Sequence, residues 1–430
     1  MIFHCTSLRI ASAILLISLP SSIGLAQLSG FVSGTYGYQS NPLYNFEQTS
    51  DQVRSTYLEV GYSAEEFRAL YAGGLTLFHN LTERNFLDHR LLLSLSFSPN
   101  PQSTSAGTDS IEEEHPEDIR EDSAPVTPDS LGTFGEISAR FASRHDKSAF
   151  REYDNAAAAL MGSLRWGIEG GWYIRLVPDA EYRHYPFIRE LSNASGLLTT
   201  EVGLGNSQGL SGGLRALTGV KHFTVAAFDS AQFESVPTYV IVTKPGSGKG
   251  GAKITVKESS GKKILANADI RTTGQFAGSG FVRYAWRTGS LVAEMLYRQN
   301  LSGAARILAR TPESATINED IYNDFFSYNG PDANLTLRQT LLGSAQGTIT
   351  LEYQRKKYGA PAFDGEGAEI AGARVDRRRG IEFYLSRYIV LSPRFGLDLA
   401  LSGSIVHNES NDSYNDYSAW SIGFSLGFGF

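Results

Sequence analysis

The chain ends in Trp420-Ser-Ile-Gly-Phe-Ser-Leu-Gly-Phe-Gly-Phe430, "WSIGFSLGFGF". Trp420, Ile422, Phe424, Leu426, Phe428 and Phe430 fall on one side of a period-two pattern, and only Ser and Gly fall on the other. Period two means a strand, because successive side chains of a strand point to opposite faces. A strand at the edge of a soluble sheet would carry charges where this one carries Ser and Gly. The stretch reads instead as a strand whose large face meets an apolar medium and whose small face meets an interior.

The same alternation recurs upstream, now with charges on the second face. In "WYIRLVPDAEY", Trp172, Ile174, Leu176, Ala180 and Tyr182 oppose Arg175, Asp179 and Glu181. In "FGLDLALSGSI", Phe395, Leu397, Leu399, Leu401 and Ile405 oppose Asp398, Ser402 and Ser404. "FAGSGFVRYAW" sets Val282, Tyr284 and Trp286 against Arg283, and "NLTLRQTL" sets Leu335, Leu337 and Leu341 against Thr336, Arg338 and Thr340. A helix would place each charge inside its own apolar stripe, so the helical reading fails. Segments of about 10 alternating residues are longer than an ordinary strand and match a strand tilted across a bilayer.

About 16 such segments are counted, within a range of roughly 14–18. They lie near 28–38, 53–63, 67–78, 86–98, 131–143, 155–166, 172–184, 193–206, 209–220, 273–287, 290–302, 333–342, 346–358, 375–388, 393–407 and 417–430. Short connections (64–66, 167–171, 206–208, 288–290, 343–347, 392–394) take turns with long polar ones (39–52, 144–154, 221–272, 303–332, 359–374, 408–416). That rhythm predicts an all-β fold, a transmembrane antiparallel up-and-down β-barrel with turns at one end and loops at the other. Segment 99–130 breaks the rhythm. It is acidic, Pro-rich and almost free of apolar residues, which reads as a disordered insertion on the periplasmic side or as the sign of a missed strand. Within the long segment 221–272, β-prone runs at Thr238–Thr243 and Lys253–Lys257 predict a hairpin with a lysine-rich tip.

Residues 1–26 carry Arg9, an apolar core from Ile10 to Leu19 and a small-residue end at Gly24-Leu25-Ala26. This is the layout of a cleaved signal peptide, and the core is too short to span a bilayer. The barrel is then expected over 27–430. Cys5 is the single cysteine and precedes that end, so disulfides and thiolate metal sites are not expected in the mature chain. The net charge of -7 argues against a nucleic-acid partner. Gly 44, Tyr 21 and Phe 24 fit strands that alternate small and bulky positions.

The terminal residues also resemble a family. Ile422, Phe424, Leu426, Phe428 and Phe430 look like the C-terminal signature of bacterial outer-membrane β-barrels. The resemblance implies a strand read by the barrel-insertion machinery and location in the outer membrane. A second similarity covers the last 60 residues or so. "RVDRRRGIEFYLSRYI" and the loop bearing Ser410, Asn411, Tyr414 and Tyr417 look like the closing strands of surface lipoprotein assembly modifier barrels. It implies the barrel fold; the helical repeat domain that usually precedes such barrels has no counterpart here.

Motifs of chemistry have plainer readings. Gly205-Asn-Ser207-Gln-Gly209 matches a serine-hydrolase elbow, but it joins two β segments, and its residues suit a hairpin turn. "KPGSGKGG" is mis-spaced for a phosphate loop. No catalytic residue, metal site or cofactor is expected. What remains is the inward face, where strand parity places Arg68, Arg90, Arg140, Arg165, Arg175, Arg183, Arg283, Arg298 and Arg338. Glu59, Glu136, Asp179, Glu181, Glu294, Glu352, Glu382 and Asp398 join them. Such charges either line water and select small polar solutes, as in a porin-like channel, or form salt bridges that prop a closed barrel. The alternative function is a non-conducting surface or assembly barrel whose long loops bind a partner or assist export. Arg377 and Arg379 fall on the outward face near the loops, where lipopolysaccharide phosphates would lie. Trp172, Trp286, Trp420, Tyr182 and Tyr284 fit aromatic girdles at the lipid interfaces.

Overall fold

The computed structural model describes residues 27–42, 50–64, 66–97, 133–147, 154–206, 209–226, 239–242, 253–256, 264–266, 269–303, 305, 307–309, 325–341, 345–364 and 368–430. The expected signal peptide at 1–26, segment 99–130, Ser207 and most of the lysine-rich tip lie outside the described residues.

In chain order the strands are β1 Gln27–Gln39, β2 Asp51–Ala64, β3 Phe67–Phe78, β4 Phe86–Phe97, β5 Thr133–Asp146, β6 Asn155–Ile168, β7 Trp172–His184, β8 Asn193–Gly205 and β9 Leu210–Phe223. Then come β10 Tyr239–Val242, β11 Lys253–Val256, β12 Ile264–Ala266, β13 Thr272–Trp286, β14 Gly289–Asn300, β15 Ile307–Ala309, β16 Tyr328–Thr340, β17 Gln346–Phe363, β18 Glu369–Ser392, β19 Phe395–Ser410 and β20 Tyr417–Gly429. β1–β9, β13, β14 and β16–β20 form one closed barrel. Each expected segment is one of these wall strands. β10 pairs with β11 as the expected hairpin, while β12 and β15 form a second small sheet that the alternation does not reveal.

Closure is made by β1 and β20, which pair from Phe31↔Gly429 to Gln39↔Ser421. Beyond that ladder Gly30 and Phe430 exchange two backbone bonds of 3.0 and 2.9 Å, so the last residue finishes the seam. A closed ladder is what a bilayer requires, since no backbone group is left at an edge. β4 and β5 pair directly across 98–132, so no wall strand is missing between them.

The outward face carries the large residues. Trp420, Ile422, Phe424, Leu426, Phe428 and Phe430 are all exposed, as are Leu214, Val282, Met295 and Ile405 around the wall. Along β19, Phe395 to Ile405 is about 34 Å of strand, or about 24 Å of height at a tilt near 45°, close to the height of an apolar bilayer band. Exposed aromatics mark its two rims. Tyr36, Tyr182, Tyr297, Tyr353 and Trp420 lie toward the long-loop end, and Phe67, Phe97, Trp172, Tyr284 and Phe395 toward the short-turn end.

Several glycines have a packing reason. Directly opposite Gly203 is Tyr173, opposite Gly135 is Phe97, and opposite Gly403 is Phe383. A Cβ built on these glycines would stand 2.1–2.3 Å from the facing ring. Each ring lies over bare backbone and covers the gap that glycine opens in a strand.

Two strands outrun the membrane. β17 has 18 residues and β18 has 24, so the β17–β18 hairpin rises well above the band on the long-loop side. The expected loops at 303–332 and 359–374 are correspondingly shorter, because their ends are strand. Two further connections on this rim, 79–85 and 185–192, are short and tucked in: Leu81, Arg84, Ile188 and Leu191 are each at most 3% exposed.

Candidate functional site: the lumen and its mouth

By register, all the charged side chains expected inside lie on the face opposite the exposed apolar residues. Their arrangement is uneven around the wall. β19, β20, β1 and β2 present mainly hydroxyls and glycine. Ser404 and Ser421 lie 2.8 Å apart, Thr35 donates to Ser425 at 3.2 Å, and Phe31 covers Gly427. The acids of that wall are Glu59, held by the Tyr57 hydroxyl at 2.9 Å, Asp398 and, at the mouth, Asp51.

The opposite wall is a belt of paired charges. Arg140 on β5 reaches Glu181 on β7 at 3.0 Å, and Arg183 holds the other carboxylate oxygen at 2.9 Å. Arg175 donates to Ser163 at 3.1 Å, and Arg165 lies 4.5 Å from the Tyr173 ring centre. Arg165 and Arg175 are cross-strand partners, and Arg175 in turn faces Glu201 on β8. Glu201 is the hub. It accepts from the Tyr173 hydroxyl at 2.6 Å and from Arg215 at 2.9 Å while only 5% exposed. Arg215 uses another nitrogen to reach Glu294 on β14 at 3.0 Å. The belt runs on through Arg298 and Asp332 at 4.0 Å, then Gln354, which donates to both Asp332 and Glu352. Arg378 closes it, 3.9 Å from Glu352.

Of the expected residues, the belt brings together Arg140, Glu181, Arg183, Arg175, Arg165, Glu294, Arg298 and Glu352. Asp179 shares its face beside Glu181, and Arg283 and Arg338 lie on the neighbouring inward positions of β13 and β16. Arg68, Arg90, Glu136, Glu382 and Asp398 face inward outside it and make no ion pair among the described residues. Sequence reasoning missed Glu201, Arg215, Asp332 and Arg378. The parity of Val202, Leu204 and Leu214 would have found the first two, but glycine and alanine on both faces of β8 and β9 dilute the alternation there.

The mouth at the long-loop end is narrowed by chain that folds inward. Phe326, 1% exposed, lies against Gly219 on the inner face of β9, and its carbonyl accepts from Asn300 at 3.0 Å. Across the barrel, Asp51 accepts from the backbone of Asn80 and Leu81, which turns 79–85 in so that Val53, Phe78 and Leu81 form a small core with Phe86. Above them the raised β16–β18 wall carries a stack on its inner side. Lys356 lies 4.8 Å from the Tyr328 ring, Tyr328 packs on Tyr358, and Arg374 lies 4.2 Å from Tyr358. Burial would lower the Arg374 pKa, but its paired carboxylate Asp376, with Tyr358 and Asp412, raises it on balance, so the guanidinium stays charged.

The loop bearing Ser410, Asn411, Tyr414 and Tyr417 is a latch on that wall. Ser410 donates to Asp376 at 2.7 Å, and Asn411 accepts from the Val375 backbone at 2.7 Å. Tyr414 and Tyr417 are buried beneath it.

The chain is a transmembrane β-barrel. No protein-family model matches it, and no curated protein sequence does. Among solved structures it is similar to OccAB3 of Acinetobacter baumannii, with TM-score 0.43, 9% identity and coverage of 95% of this chain and 100% of that one. OpdL of Pseudomonas aeruginosa gives 0.42, 11%, 94% and 98%, and OprD of the same organism gives 0.41, 9%, 94% and 93%. The closure and the strand number are set by this chain's own pairing.

The belt makes one prediction here. In a Gly203→Val variant the new side chain displaces the Tyr173 ring and breaks its bond to Glu201. Overpacking of this kind costs about 1–3 kcal/mol. The temperature at which the folded gel band gives way to the unfolded one should fall, and an unchanged temperature would mean the ring has room to move.

Proposed function

We propose that the protein is an outer-membrane channel of porin type, through which small polar solutes diffuse passively. The observation that carries this reading is the charged lumen belt from Arg140 to Arg378 in a closed sixteen-strand wall. A barrel of this strand number is wide enough to hold water, and charges on its inner face that meet this water tune which solute passes. The inward chain at Phe326 and at 79–85 would set the size limit. The hydroxyl-rich wall opposite the belt gives a passing solute one densely charged side and one that is mainly hydroxyl. The terminal positions Ile422, Phe424, Leu426, Phe428 and Phe430 would serve as the signal for the barrel-insertion machinery after export by residues 1–26. The likeness to surface lipoprotein assembly modifier barrels is carried no further than the fold, and the residues that suggest it have a local task as the Asn411 latch.

Proteoliposome swelling tests the proposal. Vesicles bearing the protein should swell in isotonic solutions of small sugars and amino acids and not in large oligosaccharides. Arg175→Ala and Arg283→Ala should change the ratio of anionic to cationic solute entry several-fold, toward cations. Vesicles that stay inert with demonstrably folded protein would favour the surface or assembly barrel instead.

A further inference from the structure

On the outer face of β17 and β18, one step above the apolar band, four cations stand together. Arg355 and Lys357 on β17 and Arg377 and Arg379 on β18 are all exposed, and Leu351, Tyr353, Ile381 and Phe383 lie directly below them. Arg355 and Arg377 are cross-strand partners in the register, and Arg379 faces Tyr353. Cross-strand partners have Cβ atoms about 4.5–5.5 Å apart and diagonal ones about 7–8 Å, so three guanidinium groups can reach one ligand. Like charges placed directly opposite weaken a sheet unless an anion sits between them. The inward residues of the same stretch contrast with this. Lys356 has Tyr328, Gln354 has Asp332, and Asp376 has Arg374. Outside, the ion pair among the described residues is Arg377 with Glu409 at 3.4 Å, both half-exposed and so of little value.

From this we infer that the patch binds the phosphates of a phosphorylated glycolipid of the outer leaflet, lipopolysaccharide, against the β17–β18 wall. The inference rests on the outer-membrane placement proposed above, but not on conduction. Height selects the occupant: an anion held just where lipid chains end is one whose own acyl chains lie along Tyr353, Ile381 and Phe383. Charge selects it further. A zwitterionic phospholipid brings its own ammonium to each phosphate, whereas a bisphosphorylated sugar brings none and gives two groups for bidentate guanidinium contacts. The long-loop rim, where the patch lies, is the outer side of a barrel whose short turns face the periplasm.

The test uses full-length protein purified from outer membranes, with Arg355→Ser/Arg377→Ser/Arg379→Ser as the variant and Arg379→Gln as a milder one. Wild-type protein should retain glycolipid through detergent exchange, and the triple variant should retain several-fold less. Added lipid A should raise the temperature of unfolding for the wild type, while dephosphorylated lipid A and inorganic phosphate should not. Equal retention by wild type and both variants would overturn the inference. So would an equal rise with dephosphorylated lipid A, which needs only acyl chains, or with phosphate alone, which needs only a free-anion site. None of the four cations faces the lumen, so single-channel conductance of the variants should match wild type. A silent wild type that still retains glycolipid would sink the channel reading and leave this one standing.

Discussion

Arg215→Gln should turn the lumen toward cations and loosen the barrel at once. Arg215 bridges Glu201 at 2.9 Å and Glu294 at 3.0 Å, and the three side chains are 22%, 7% and 26% exposed. Without the guanidinium, two carboxylates face each other across a partly desolvated wall. Breaking a fully buried pair costs about 3–5 kcal/mol; with this residual exposure about 2–3 kcal/mol is expected. In a salt gradient the reversal potential should move toward the cation value, with the permeability ratio changing several-fold. The double variant Arg215→Gln/Glu201→Gln should recover part of both effects, because the added change removes one uncompensated acid. An unmoved reversal potential in correctly folded Arg215→Gln protein would mean that ions do not pass the belt.

The second large effect is expected at the seam. A Cβ on Gly30 would lie 2.3 Å from the Phe430 ring, and the two residues exchange the last backbone bonds that close the wall. Gly30→Val should therefore deplete the compact, heat-modifiable form both in cells and on refolding into detergent. Phe430→Ala removes the ring and leaves the backbone bonds. It should refold in detergent close to wild type yet reach the outer membrane several-fold less, if the terminal ring is what the insertion machinery reads. Equal loss in both settings would assign Phe430 to packing alone. Combining the two substitutions should relieve the clash and restore refolding.

These residues also show what could be read before the structure. Alternation located every wall strand, because a closed wall in a bilayer needs an apolar outer face along the whole band while its inner face meets the lumen. Where the wall leaves the band, that constraint ends. From Gly359 to Phe363 and from Glu369 to Arg374 no row of large apolar residues alternates with polar ones, so this part of the raised hairpin reads as loop in the sequence although its ladder continues to Phe363↔Glu369. The tucked connections at 79–85 and 185–192 were illegible for a related reason. Their burial depends on single acceptors such as Asp51, which only the fold brings to Leu81. Inward charges were legible one by one through parity, but their partners were not. Glu201 meets Arg215 because β8 and β9 pair at that register, and Arg215 meets Glu294 across β13, a contact no local pattern encodes.

An aqueous path lined by the belt should be visible in single-channel recording of residues 27–430 in a planar bilayer. Steady openings are expected, with a current linear in voltage that grows with salt concentration. A silent bilayer, with protein shown to be folded by its heat-modifiable gel shift, would contradict such a path.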